Sequence, residues 1–196
     1  MSHTLLTAIL TRLGLLLLQA TARLPGNMQI RMGALLGRVA YRLSKKWRST
    51  TERNISAAFP DLNRDGQQQL ISNHFRSLGI GLTEMGTAWW GDRERLRDRV
   101  TIQGLEYLQA ALKQGNGVIL LSAHFTTLEI GGRLLSLFHP LHAMYRKQDN
   151  PLFNRAMVEG RNGYLESIVE KKDLRGMLRL LKNNQTIWYA MDQNSS

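Results

Sequence analysis

The sequence predicts an α/β fold: a mostly parallel sheet flanked by helices and preceded by a hydrophobic N-terminal helix. Three observations carry this. Val118 to Leu121 is a continuous apolar run after the turn-forming Gln114-Gly115-Asn116-Gly117, the pattern of a strand buried on both faces. A helix signal follows at once, since Thr126 and Glu129 have capping-box spacing and Ile130, Leu134, Leu135 and Leu137 continue as an apolar series. The unit is then echoed: Leu112-Lys113, a turn and a strand end at His124, and Leu181-Lys182, a turn and a strand end at Asp192.

The 196 residues suit one sizeable domain, or a domain with an appendage. The absence of cysteine excludes a disulfide framework, a thiolate zinc site and a cysteine nucleophile. A net charge of +11 and a pI of about 10.5 imply acidic partners: nucleic acid, anionic headgroups, a phosphorylated substrate or an acidic carrier protein. From Arg23 to Arg53 the cations Arg23, Arg31, Arg38, Arg42, Lys45, Lys46, Arg48 and Arg53 are opposed only by Glu52. That block follows the most apolar segment, which favours a membrane surface over nucleic acid.

Thr4 to Ala22 is about long enough to span a bilayer core, but Arg12 interrupts it. Three readings compete. Leu15 to Leu18 and the A-x-A form of Ala20-Thr21-Ala22 suit a cleaved signal peptide, yet a basic n-region is nearly absent and strongly basic residues follow. A single membrane anchor would keep the remainder cytoplasmic by the positive-inside rule. A monotopic helix would lie in the interface with Arg12 snorkelling to the headgroups. The last two are favoured over the signal peptide and over a buried helix of a soluble core, giving a hydrophobic anchor segment over 1–23 and a catalytic domain over 24–196.

Leu24-Pro25-Gly26-Asn27 breaks the first helix. Met28 to Leu43 then reads as helix, with Gly33, Ala34, Gly37 and Ala40 allowing a close neighbour. Lys45-Lys46-Trp47-Arg48 suits the headgroup level, or an ordinary solvated helix end. Thr51 to Phe59 is a short helix, and Gln67 to about Trp90 a long one with Leu70, Phe75, Leu78, Leu82, Met85 and Trp89 as its stripe. His74, beside that stripe, receives no chemistry. Gly91 to Arg99 is a solvated charge run, Val100 to Gln103 a short strand and Gly104 to Gln114 a helix. Leu141 to Tyr145 is a strand ending at Arg146-Lys147. Asn150-Pro151 opens a helix running to about Gly160, and Asp173 caps another with Leu174, Met177, Leu178 and Leu181 on its apolar side. Thr186 to Met191 is the last strand.

Three strands thus carry His124, Arg146 and Asp192 at their C-terminal ends, where open α/β sheets bind ligands. As parallel neighbours joined by right-handed crossovers, they would bring a base, a cation and a carboxylate to one edge. On one unbroken helix His124 and Glu129 would point roughly 140° apart, so they can meet only across a bend. A carboxylate on one imidazole nitrogen fixes the tautomer and leaves the other free to accept a hydroxyl proton. In the blander alternative Glu129 merely caps its helix and His124 is a hydrogen-bonded loop residue.

The H-x-x-x-x-E of His124 and Glu129 resembles the H-x4-D/E signature of glycerolipid and lysophospholipid acyltransferases. R-N-I-S-A-A-F-P (Arg53 to Pro60), M-Y-R (Met144 to Arg146), D-N-P-L (Asp149 to Leu152), K-D-L-R-G-M-L-R-L-L-K (Lys172 to Lys182) and I-W-Y-A-x-D (Ile187 to Asp192) narrow this. Together they resemble the bacterial late acyltransferases of lipid A biosynthesis, the lauroyl- and myristoyl-type enzymes. The resemblance implies an acyltransferase at the cytoplasmic face of the inner membrane, bound to its anionic surface. It would move an acyl chain from an acyl carrier protein thioester to a hydroxyl of a lipid A precursor. No metal, organic cofactor or nucleic acid is implied. His124 would be the general base, Glu129 its companion or an anchor of the site, and Arg146 a ligand for substrate phosphate or a partner of Glu129. Asp192 matches an acidic position that pairs with the histidine in a related mannoside acyltransferase group, so either carboxylate could orient His124. Many members read Y-R-P and A-P-D-x-D-x-G where this chain has Lys147, Met191, Asn194 and Ser195. Members also continue through another strand and helix, so the sequence reads as truncated at its C terminus. The rival readings are an acyltransferase of the same superfamily acting on another glycolipid or phospholipid, and a non-enzymatic basic membrane-binding module.

Overall fold

The computed structural model describes residues 2–192, with side chains from Leu5 onward; Asn194 and Ser195 lie outside the described residues. Helices α1 (Ser2–Thr21), α2 (Gly26–Leu43), α3 (Lys45–Ala58), α4 (Arg64–Trp90), α5 (Arg93–Arg97) and α6 (Leu105–Leu112) precede the first strand. Then follow β1 (Val118–Ser122), α7 (Leu128–Ser136), β2 (His142–Tyr145), α8 (Pro151–Asn162), β3 (Ser167–Glu170), α9 (Leu174–Lys182) and β4 (Thr186–Ala190). The strands form one parallel sheet in the order β1-β4-β2-β3. Right-handed crossovers then set α7 and α8 on one face and α9 on the other.

Three points of the strand reading need correction. Val100 to Gln103 is irregular, and β3 was not anticipated. Nor is Val118 to Leu121 buried on both faces. It lies at the sheet edge, with Ile119 40% and Leu121 68% exposed, because α9 packs on β4 and leaves that side of β1 open. The inner strands are β4 and β2, and Ile187 of β4 is fully buried.

The helical half is organised around α4, which begins where Asn63 accepts from the Gly66 N–H at 2.8 Å. Its buried stripe is Ile71, Phe75, Gly79, Thr83 and Gly86, whereas the expected Leu78 and Leu82 are 39% and 46% exposed. Small residues decide this. A Cβ on Gly79 would overlap the Gly33 carbonyl, and one on Gly37 would overlap that of Phe75, so α2 and α4 meet backbone to backbone. His74 is exposed and edge-on to Phe75.

Helix α1 packs on α4 and α8, with Asn150 Nδ2 donating to Thr11 Oγ1 at 2.8 Å. No helix among the described residues is long and apolar enough to cross a membrane. Thr7, Thr11, Arg12 and Gly14 dilute the leucines of α1, so the spanning reading gains no support from the fold. Asn150 and Asp173 cap α8 and α9 as expected: Asn150 accepts from Leu152 and Phe153 N–H, and Asp173 from that of Gly176.

Candidate active site

Ser122 and Ala190 are paired at the ends of neighbouring strands. His124 and Asp192 each lie two residues further on, so the repeated strand lengths set them side by side. The Asp192 carboxylate accepts the His124 main-chain N–H at 3.0 and 3.1 Å and faces ring Nδ1 at 2.6 Å. Those contacts, the main-chain one first and the ring second, hold the Asp192 carboxyl below the usual carboxylate range. A carboxylate can only accept, so Nδ1 carries the proton of the neutral ring, whose lone pair is then on Nε2. Both side chains remain about 40% exposed (39% and 42%).

His124 lines a cleft of about 420 Å³, together with Glu129, Arg146, Arg161, Lys171 and Tyr189. Of the two carboxylates, it is Asp192 that bonds the ring. Glu129 lies elsewhere on the same wall, accepting from Arg161 Nε at 3.1 and 3.3 Å and, closer still, from its Nη2. Trp89 Nε1 donates to it at 2.8 Å and the Tyr164 hydroxyl at 3.4 Å. Burial alone would lower the Arg161 pKa; hydrogen bonding to Glu129 and its charge reverse the direction. Burial, and then the Glu129 charge, raise that of Tyr164.

The expected capping box is therefore not made, and Thr127 begins α7 without a side-chain cap. The reason is energetic. Arg161 and Glu129 are only 15% and 16% exposed, and a guanidinium so enclosed needs its counter-charge more than a partly solvated amide needs a cap. The same pairing removes Glu129 as a partner for Arg146, which stands on the cleft wall free of any ion pair among the described residues.

Sequence reasoning missed Arg161, Trp89, Tyr164 and Lys171. Arg161 had a readable signal: Phe153, Met157 and Arg161 are four apart, so a cation occupies the next position of a buried stripe. Lys171 was lost with β3. Among the described residues no group of three or more His, Asp or Glu could hold a metal ion.

An imidazole fixed by a carboxylate, with its second nitrogen open to a cation-rimmed cleft, defines an α/β protein equipped for general-base chemistry at a parallel-sheet edge. The chain belongs to the bacterial lipid A biosynthesis acyltransferase family, whose model matches residues 2–196. It is 34% identical over 186 residues to the lipid A biosynthesis lauroyltransferase of Escherichia coli (strain K12), covering 94% of this chain and 60% of that protein. The palmitoleoyltransferase of the same strain is 32% identical over 185 residues, with 94% and 60% covered. The myristoyltransferase is 27% identical over 184, with 93% and 57% covered. This chain thus spans about 60% of the length of the first two relatives.

Proposed function

We propose that this chain carries the acyl-transfer site of a lipid A biosynthesis enzyme, moving a fatty acyl chain from an acyl carrier protein thioester to a hydroxyl of a lipid A precursor. The observation that carries the reading is the 2.6 Å contact between His124 Nδ1 and Asp192. Nε2 takes the proton of the acceptor hydroxyl, and that oxygen attacks the thioester carbonyl. The Thr126 and Thr127 N–H groups, which have no acceptor among the described residues and lie between His124 and α7, would donate to the developing oxyanion. Collapse expels the carrier thiolate, which recovers the proton from the His124 imidazolium. With no cysteine in the chain, direct transfer is the simpler route.

Arg146 and Lys171 on the cleft wall would hold phosphate of the acceptor. Glu129 acts as an anchor, keeping the first turn of α7 against α4 and α8 through Trp89 and Arg161. Residues 1–23 act as the membrane-binding segment and 24–196 as the transfer domain. Exposed Leu6, Leu10, Leu13 and Leu17 on α1, with exposed Leu35, Val39 and Leu43 on α2, suit an interfacial seat beside the basic block. On this reading the enzyme works at the cytoplasmic face of the inner membrane, where an acidic carrier protein meets a surface of net charge +11.

The test is acyl transfer by purified full-length enzyme, given an acyl carrier protein thioester and a lipid A precursor. Wild type transfers and His124→Ala does not. Equal turnover by the two would remove His124 from the mechanism.

A further inference from the structure

A second cavity, apolar and about 650 Å³, lies between α1, α2, α4 and α8. Leu15 and Leu18 of α1, Met32 and Leu36 of α2, Leu82 of α4 and Phe153 of α8 form its walls. Its few hydroxyl and amide groups are already engaged: Thr11 with Asn150 at 2.8 Å, and Thr21 Oγ1 with the Leu18 carbonyl at 2.7 Å. Nothing in it is left to recognise a headgroup, whereas an alkyl chain would meet apolar side chains throughout.

Two connections say which chain. Phe153 also lines the His124 cleft, so the groove and the cleft share a wall. At the other end Leu17 lines the groove while remaining 69% exposed, and it continues into the exposed Leu10 and Leu13 of α1. A donor chain arrives on a soluble carrier; a chain already in the lipid layer enters from this apolar side. We infer that the groove seats an acyl chain of the acceptor glycolipid, and that α1 therefore helps select the acceptor as well as touching the membrane. This rests on the acyl-transfer reading above.

Gly14 makes the inference testable, because it lines the groove and a Cβ placed there meets nothing within 4 Å. Gly14→Phe fills the groove without disturbing the backbone, and glycine is a poorer helix former than phenylalanine. Leu82→Trp does the same from the opposite wall. The full-length enzyme is assayed in detergent micelles, so vesicle affinity plays no part, with phosphorylated disaccharide acceptors carrying short or long 3-hydroxyacyl chains. In both variants the acceptor KM rises for the long-chain precursor, by about fourfold for each methylene displaced (~0.8 kcal/mol). It rises less for the short-chain precursor, and the preference for thioester chain length stays that of wild type. An unchanged acceptor KM overturns the inference. A shift in thioester preference also overturns it, because it would put the donor chain in the groove.

A second arm does not depend on turnover. A long-chain acceptor with a diazirine near its tail is photolysed with wild type and with His124→Ala, and the adducts are mapped by mass spectrometry. Labelling of Leu15, Leu18, Met32, Leu36 or Leu82, which line the groove and not the cleft, sustains the inference in both proteins even if transfer fails. Labelling confined to residues outside the groove ends it.

Discussion

Asp192 grips His124 at two points, the main-chain N–H and ring Nδ1, so one carboxylate fixes the loop and the tautomer together. Glu129, the acid nearer in sequence, is spent on Arg161. The two acids therefore differ in kind, and substitutions should separate them.

Asp192→Asn keeps the shape but lets the ring turn or take the other tautomer. Transfer by the full-length enzyme should fall about 10²- to 10⁴-fold, the range of a positioned general base, while the protein still folds. His124→Ala should be equally inactive, and the double variant no worse than either single one, since the pair works as a unit.

Because folding lowers the Asp192 pKa below its ordinary value of 3.8, the carboxylate stabilises the fold above that value. The contribution is lost as falling pH carries Asp192 through its folded pKa. Urea unfolding of wild type and Asp192→Asn should show a gap that is constant through the neutral range and closes only below about pH 4. A gap closing near neutrality would contradict the geometry.

Glu129→Ala should destabilise by about 3–5 kcal/mol, because it strands an enclosed guanidinium. Glu129→Leu combined with Arg161→Met should cost much less than the sum of the single changes. A denaturant double-mutant cycle measures this, and additive losses would mean that the pair contributes nothing of its own.

Gly79→Ala should cost about 1–3 kcal/mol, since its methyl would occupy the space of the Gly33 carbonyl and force α2 away from α4. Thermal melting gives the answer, with Gly14→Ala as a control at a site where a Cβ meets nothing.

Reversing Lys45 and Lys46 to Glu should weaken sedimentation with phosphatidylglycerol vesicles by about 1 kcal/mol for each cation lost, more in low salt than in high. Binding to neutral phosphatidylcholine vesicles should not change. If binding to the two vesicle types responds alike, the basic block has no electrostatic role at a membrane.

The sequence disclosed most where local chemistry acts alone. Asn150 and Asp173 cap their helices because an Asn or Asp side chain reaches the next free N–H groups whatever the surroundings. The echo ending at His124 and Asp192 was legible because a parallel register turns equal strand lengths into adjacency. What escaped depends on distant partners. Thr126 and Glu129 have capping spacing, but the Arg161 charge thirty-two residues away outweighs it. Ser167 to Glu170 is a four-residue edge strand whose alternation is too short to register, while Val100 to Gln103 looked equally extended and found no neighbour. Leu78 and Leu82 were read as core, yet the glycines beside them decide which side of α4 faces α2.

The fourth strand leaves the ribosome after the other three, yet it occupies the slot between β1 and β2. Until it inserts, those two strands share no edge, and the loop bearing His124 has no Asp192 to close upon. A single segment therefore does two things at once: it joins the halves of the sheet and brings Asp192 to the His124 ring.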